Sequence, residues 1–200
     1  MKKGLFIVIE GNDGSGKSVQ LDLLASYLKE RGRDVYVTRE QSNSKYGKKI
    51  SELVVSEEGE KLGGDEWLEL FTRDRQEHLK TEVLPALEHG KIVVCSRYDY
   101  STCIYQLKDE GKWKLYISQF TRPDLTFIIL VPTKIAMQRL HSRDRKITVF
   151  EKEAMIEERR QKYERMLSFA DNIKKIDGSK DIQGVFAQIK GEIDRFLALK

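Results

Sequence analysis

The run Gly11-Asn12-Asp13-Gly14-Ser15-Gly16-Lys17-Ser18 has the spacing G-x-x-x-x-G-K-[ST]. Its glycines let the backbone curl so that successive N–H groups point at an anion. The apolar run Leu5-Phe6-Ile7-Val8-Ile9 precedes it, and Leu21, Leu24, Ala25 and Leu28 follow at i, i+3, i+4 and i+7. The loop therefore has the strand before it and the amphipathic helix after it that a phosphate cradle requires. The helix N-terminus adds a positive end. Lys17 supplies a point charge near the β- and γ-phosphates of ATP, and Ser18 offers its hydroxyl to Mg²⁺ as the metal ligand. Gly11 to Ser18 is thus the expected ATP site, with Mg²⁺ as cofactor.

A phosphate cradle alone does not choose among kinases, GTPases and motors, which all need it. No Asn-Lys-x-Asp element for reading guanine is present, and 200 residues leave little room for a motor's second lobe. A small-molecule kinase leads. Phe71 and Arg75 are four apart and share one helical face, so they offer a flat ring and a donor fork to one pocket. Arg97 ends an apolar run where ligands of open α/β sheets bind, and a guanidinium there grips a phosphate bidentately. Arg39 ends another such run and is a second candidate for that anion; its plainer reading is an ion pair with a neighbouring carboxylate. A core Phe beside a surface ion pair is the plainer reading of Phe71 and Arg75.

Taken in order along the chain, these motifs resemble the thymidylate kinase family from Phe6 to about Leu167. The resemblance is carried by Ile9-Glu10-Gly11 with Asp13, Thr38-Arg39-Glu40, Leu70-Phe71 with Asp74-Arg75 and His78, and Leu84-Pro85-Ala86-Leu87. Arg97-Tyr98, Ser101-Thr102, Tyr105-Gln106 and Arg122-Pro123-Asp124-Leu125-Thr126 continue it. It implies transfer of a phosphoryl group from ATP to dTMP, and a homodimer packed through helices. It also implies that Asp13 approaches the acceptor's 3′-hydroxyl, Phe71 stacks on thymine, Arg75 donates to the base edge and Thr102 bonds to the base. Tyr105 would fill the space of a 2′-hydroxyl, and Arg97 would be catalytic alongside Lys17. The alternatives are another nucleoside or nucleoside monophosphate kinase, and a weakly catalytic nucleotide-binding protein.

The chain departs from the family pattern in two ways that bear on chemistry. Some members carry an Arg inside the phosphate loop, where this chain has Gly14-Ser15, so the cation for the phosphoryl group in flight is expected from Arg143 and Arg145. Ser96-Arg97-Tyr98 replaces the usual Asp-Arg-Tyr, removing a carboxylate near Mg²⁺. Glu10 or Asp13 is expected to take over part of the metal's outer shell.

The elements that must position these groups alternate between apolar runs and helical periodicity, the pattern of an α/β fold with a parallel sheet. Leu5 to Glu10, Val35 to Thr38, Ile92 to Cys95, Leu125 to Val131 and Ile173 to Ile176 read as five strands, the fourth central because it is apolar on both faces. Asp65 to His89 reads as a long helical region with Asp65 as a candidate N-cap, Gly90 as the stop and Pro85 marking a kink or a helix restart. The expectation is a three-layer P-loop NTPase sandwich forming one domain over 1–200, with a short lid at about 142–150. The 36 basic and 32 acidic residues, net +4, are spread throughout and suggest no nucleic-acid partner. Only Cys95 and Cys103 occur, unsuited to a disulfide framework or zinc site. No apolar run nears the roughly 20 residues of a membrane span, and the first is too short for a signal core, so a cytoplasmic protein is expected.

Overall fold

The computed structural model describes residues 4–142 and 153–198. Five parallel strands, β1 (Leu5–Gly11), β2 (Val35–Arg39), β3 (Ile92–Ser96), β4 (Leu125–Leu130) and β5 (Ile173–Asp177), form one sheet in the order β2-β3-β1-β4-β5. The helices are α1 (Lys17–Glu30), α2 (Lys45–Leu53), α3 (Glu57–Lys61), α4 (Gly64–His78), α5 (Leu84–Glu88), α6 (Asp99–Gln106), α7 (Trp113–Ile117), α8 (Thr133–His141), α9 (Glu153–Met166) and α10 (Ile182–Ala198). No described helix is long and apolar enough to cross a membrane.

Side chains alternate along each strand, so one strand feeds two cores. Phe6 and Val8 of β1 join Val93, Cys95, Ile128 and Leu130 under α5, α6, α7 and α9. Ile7 and Ile9 join Val94, Phe127 and Ile129 beneath Leu21, Leu24 and Leu28 of α1 and Val185, Ile189 and Ile193 of α10. This is the expected three-layer α/β sandwich of the P-loop type. β4 is buried at every residue, as its continuous apolar run predicts, but it lies between β1 and β5 and leaves the middle of the sheet to β1.

The long helical region after Asp65 differs from its sequence pattern. Its N-cap is Gly63, whose N–H donates to the Glu66 side chain at 2.7 Å; Asp65 lies one residue inside. A wide π turn over Leu79–Val83 separates α4 from α5. Pro85 then falls in the first turn of α5, where a missing N–H costs little. The short helices α2 and α3 left no periodic signal; they start on Ser44 and Ser56, whose hydroxyls accept N–H groups of the first turn. The expected lid lies outside the described residues from 143 onward, and with it Arg143 and Arg145.

Phe127 has no exposed surface and is packed between both helices of its face. Phe127→Ala is expected to lower the unfolding free energy by about 3–5 kcal/mol. Urea denaturation measures this, and a loss below about 1 kcal/mol would mean that the core under α1 and α10 closes over the gap.

Candidate active site

The chain leaves β1 towards the β3 side of the sheet and later crosses back from β3 to β4, on the other side of β1. At such a reversal a crevice opens beyond the carboxyl ends of the strands. A cleft of about 510 Å³ lies there. Asp13, Gly14, Gly16, Lys17 and Ser18 line it from the loop after β1, Arg39 and Glu40 from the end of β2, and Phe71 and Arg75 from α4. Ser96, Arg97, Thr102 and Tyr105 line it from the end of β3 and from α6. Every acceptor-side residue named from the sequence is brought to this one cleft, and Gly11, Asn12 and Ser15 complete the loop behind it.

Gly14 has φ 76°, and a Cβ there would lie 2.6 Å from the carbonyl oxygen of Ala136. α8 therefore packs directly on the phosphate loop, and no side chain fits at position 14. Gly16, at φ 87°, would point a Cβ into open space. The Lys17 ammonium donates to the carbonyls of Gly11 and Asn12, both at 2.9 Å. The Asn12 side chain turns away to pair in both directions with the Val131 backbone at 3.3 Å. It fastens the loop to the end of β4, leaving phosphate contact to its backbone. Ser18 is exposed in the first turn of α1.

Arg97 sits at φ 69°, left-handed geometry that costs a non-glycine residue about 1–3 kcal/mol. It is held by its N–H on the Ile9 carbonyl at 2.9 Å, by a guanidinium bond to Ser101 Oγ at 3.1 Å and by an ion pair with Asp13. The Tyr105 hydroxyl donates to Asp13 Oδ2 at 2.6 Å. Burial pushes the Asp13 carboxyl up, but Arg97, Lys17, the Tyr105 hydroxyl and Arg159 together hold it below the usual carboxylate range. Burial pushes the Tyr105 phenol up, so it remains a donor.

Arg75 is 1% exposed, lines the cleft and has four of its five N–H groups engaged. It forms a two-pronged pair with Glu40, donates to Tyr116 Oη at 2.8 Å and to Thr102 Oγ1 at 2.9 Å, and lies 5.1 Å from the Phe120 ring centre. Half-buried Phe71 leans on Trp67, ring centres 5.9 Å apart. Arg39 is exposed and forms no ion pair among the described residues. Sequence reasoning missed Glu40 as the partner of Arg75, Tyr116, and Arg159 and Tyr163 of α9. Glu40 was visible only as part of Thr38-Arg39-Glu40, and the others gave no local signal. Glu10 is corrected: both its oxygens are taken by Tyr98, Ser101 and Tyr163 and it has no exposure, so it cannot serve a metal's outer shell.

The sequence matches the family model described as thymidylate kinase over residues 9–189. It is 40% identical over 147 residues to a probable thymidylate kinase of Pyrococcus abyssi, covering 70% of this chain and 72% of that protein. A probable thymidylate kinase of Thermococcus gammatolerans is 33% identical over 202 residues, with coverage of 96% and 97%. The thymidylate kinase of Thermosipho africanus is 35% identical over 202 residues, with coverage of 96% and 99%.

Behind Arg97, Asp99 opens α6 and accepts from Arg122 at 2.7 Å. Burial pushes its carboxyl up to about 7, against the pull of Arg122 and Arg75. Between its ordinary 3.8 and about 7 the folded chain holds a proton that the unfolded chain has released, so stability falls as pH rises through that window. Asp99→Asn cannot ionise and is expected to match the parent at about pH 4 and exceed it above about pH 7, read as urea midpoints. A variant less stable than the parent at about pH 8 would show that the pair with Arg122 outweighs burial.

Proposed function

Because this chain belongs to the thymidylate kinase family, we propose that its cleft is where ATP phosphorylates dTMP and that its named residues divide that work. The observation that carries the reading is the meeting, in one cleft, of a phosphate loop with a ring, a guanidinium and an arginine suited to a nucleoside monophosphate. Lys17 shifts from its loop carbonyls to the β- and γ-phosphates of ATP. Arg97 exchanges Asp13 for the acceptor phosphate. Phe71 stacks on the thymine, Arg75 and Thr102 meet the base edge, and Tyr105 and Asp13 face the sugar. An oxygen of the dTMP phosphate attacks the γ-phosphorus, a P–O bond forms as the β–γ bridging bond breaks, and ADP leaves with dTDP as the other product.

Catalysis here is positioning and charge neutralisation, with little covalent work for the protein. With position 14 closed by α8, the cations that follow the phosphoryl group in flight are assigned to Arg143 and Arg145. The hard oxygen of Ser18 at the mouth of the loop suits Mg²⁺, which keeps most of its waters and takes its other ligands from phosphates. Among the described residues no His, Cys, Asp or Glu cluster competes as a protein cage. Bound there, Mg²⁺ would neutralise charge on the β- and γ-oxygens. The proposal also carries one domain over 1–200, a lid at about 142–150, a homodimer packed through helices, no nucleic-acid partner and a cytoplasmic location.

A panel of mononucleotides tests the acceptor. dTMP is expected to give the highest kcat/KM, and Lys17→Ala to lower kcat by about a hundredfold to a thousandfold without unfolding. A much higher kcat/KM for dCMP, dGMP or UMP would move the acceptor elsewhere within the kinase class. Near-parent turnover of Lys17→Ala would remove the loop from the mechanism.

Ser96 closes β3 in the cleft wall, where its carbonyl accepts the Glu40 N–H at 3.0 Å. A serine there slows transfer without abolishing it, since Lys17, Ser18 and Arg97 remain. Ser96→Asp is expected to raise kcat about tenfold, equal to about 1.4 kcal/mol, with little change in ATP affinity. An unchanged or lower kcat in a folded variant would show that the site is built around serine.

A further inference from the structure

The roles above leave a buried arginine of α9 without a task. The buried stripe of α9 is Ile156, Arg159, Tyr163 and Met166, with Arg159 its one charged member. At 3% exposure, a guanidinium persists only against partners that offset its lost hydration. Among the described residues, two of its partners, Asp13 and Tyr105, belong to the acceptor end of the cleft. Arg159 Nη1 is 3.7 Å from Asp13 Oδ2, and its guanidinium lies 4.0 Å from the centre of the Tyr105 ring. The Tyr105 hydroxyl itself donates to Asp13 Oδ2 at 2.6 Å, while Arg97 holds the other oxygen. Asp13 is thus pinned by two arginines on separate oxygens, and only Arg97 is called away when an acceptor phosphate enters.

We propose that Arg159 is a positioning residue of the acceptor site: it keeps the Asp13 carboxylate and the Tyr105 ring in place after Arg97 moves to phosphate, so that Asp13 accepts the sugar hydroxyl. This rests on the reading of the cleft as the dTMP site. The planar guanidinium does two things a lysine cannot do together, stacking on the ring and pairing with the carboxylate. Arg159 does not line the cleft, so it acts through Asp13 and Tyr105.

The test compares Arg159→Met, which keeps the length of the stem, and Arg159→Lys with the full-length parent. The acceptors are dTMP and its 3′-deoxy analogue, which lacks the hydroxyl that Asp13 would accept from. Arg159→Met is expected to lower kcat/KM for dTMP about thirtyfold, mainly through KM, with the KM for ATP within about twofold of the parent. With the 3′-deoxy acceptor the loss is expected to shrink to about threefold, because the interaction under test is already missing. Arg159→Lys is expected to fall between the parent and Arg159→Met. Equal losses on both acceptors, equal effects on both KM values, or a folded Arg159→Met that behaves as the parent overturns the proposal. Should Arg159→Met fail to fold, Arg159→Lys is judged by the same ratio between acceptors. A parent inactive on dTMP overturns the acceptor assignment and this inference together, whereas an active parent with an indifferent Arg159 overturns this inference alone.

Discussion

Glu10 brings a carboxylate to a place no water reaches, at the end of the central strand and one residue before the phosphate loop begins. Four donors converge on it: the Tyr98 N–H at 2.8 Å, the Ser101 N–H at 3.0 Å, Ser101 Oγ at 2.7 Å and Tyr163 Oη at 2.9 Å. The first two belong to the N-terminal turn of α6, where a negative group also meets the positive end of the helix. β1, α6 and α9 are joined at this one point. Arg97 keeps its left-handed backbone because the segment that carries it is pinned on both sides, by Ile9 and by Ser101. Without Glu10 the Tyr98 and Ser101 N–H groups would lose their acceptor, at about 1–3 kcal/mol each, and the arginine between them would lose its fixed aim.

Three cations of the cleft have internal acceptors: Lys17 has loop carbonyls, Arg97 has Asp13, and Arg75 has Glu40. Such pairing places the charges during folding, so that ordering them adds little to the cost of the reaction. The pairs differ in what can be exchanged. Lys17 and Arg97 can trade their partners for phosphate oxygens, whereas Glu40 and Arg75 are both buried and surrounded by Tyr116, Thr102 and Phe120.

The parts of this site that follow from local spacing were legible in the sequence. The phosphate loop is eight consecutive residues, Phe71 and Arg75 are one helical turn apart, and the buried strands announce themselves as apolar runs. What could not be read is whatever the sheet order brings together from afar. Arg75 meets Glu40 across 35 positions and Tyr163 meets Glu10 across 153. Glu10 looked like a metal-side carboxylate because its neighbour in sequence is the phosphate loop, but strand alternation turns it away from the cleft and under α6. Nor did the motif show that the Asn12 side chain serves β4, leaving its backbone to the loop. The helices α2 and α3 escaped because segments of nine and five residues carry too few turns to show a period.

The closed pair of Glu40 and Arg75 also sets how the cleft senses charge at a distance. The two groups cancel, so the base end of the cleft offers a ring face and hydrogen bonds but exerts no long-range pull. Attraction over several ångströms originates at the other end, from Arg39 and from Lys17 on its neutral loop carbonyls. On the proposed assignment of the cleft, a monophosphate would therefore be drawn in and turned with its charged end leading. On the same assignment, a free nucleoside of the same base would arrive without that guidance, and nucleotides would be sorted from nucleosides by rate and orientation of arrival before any contact with the base is made.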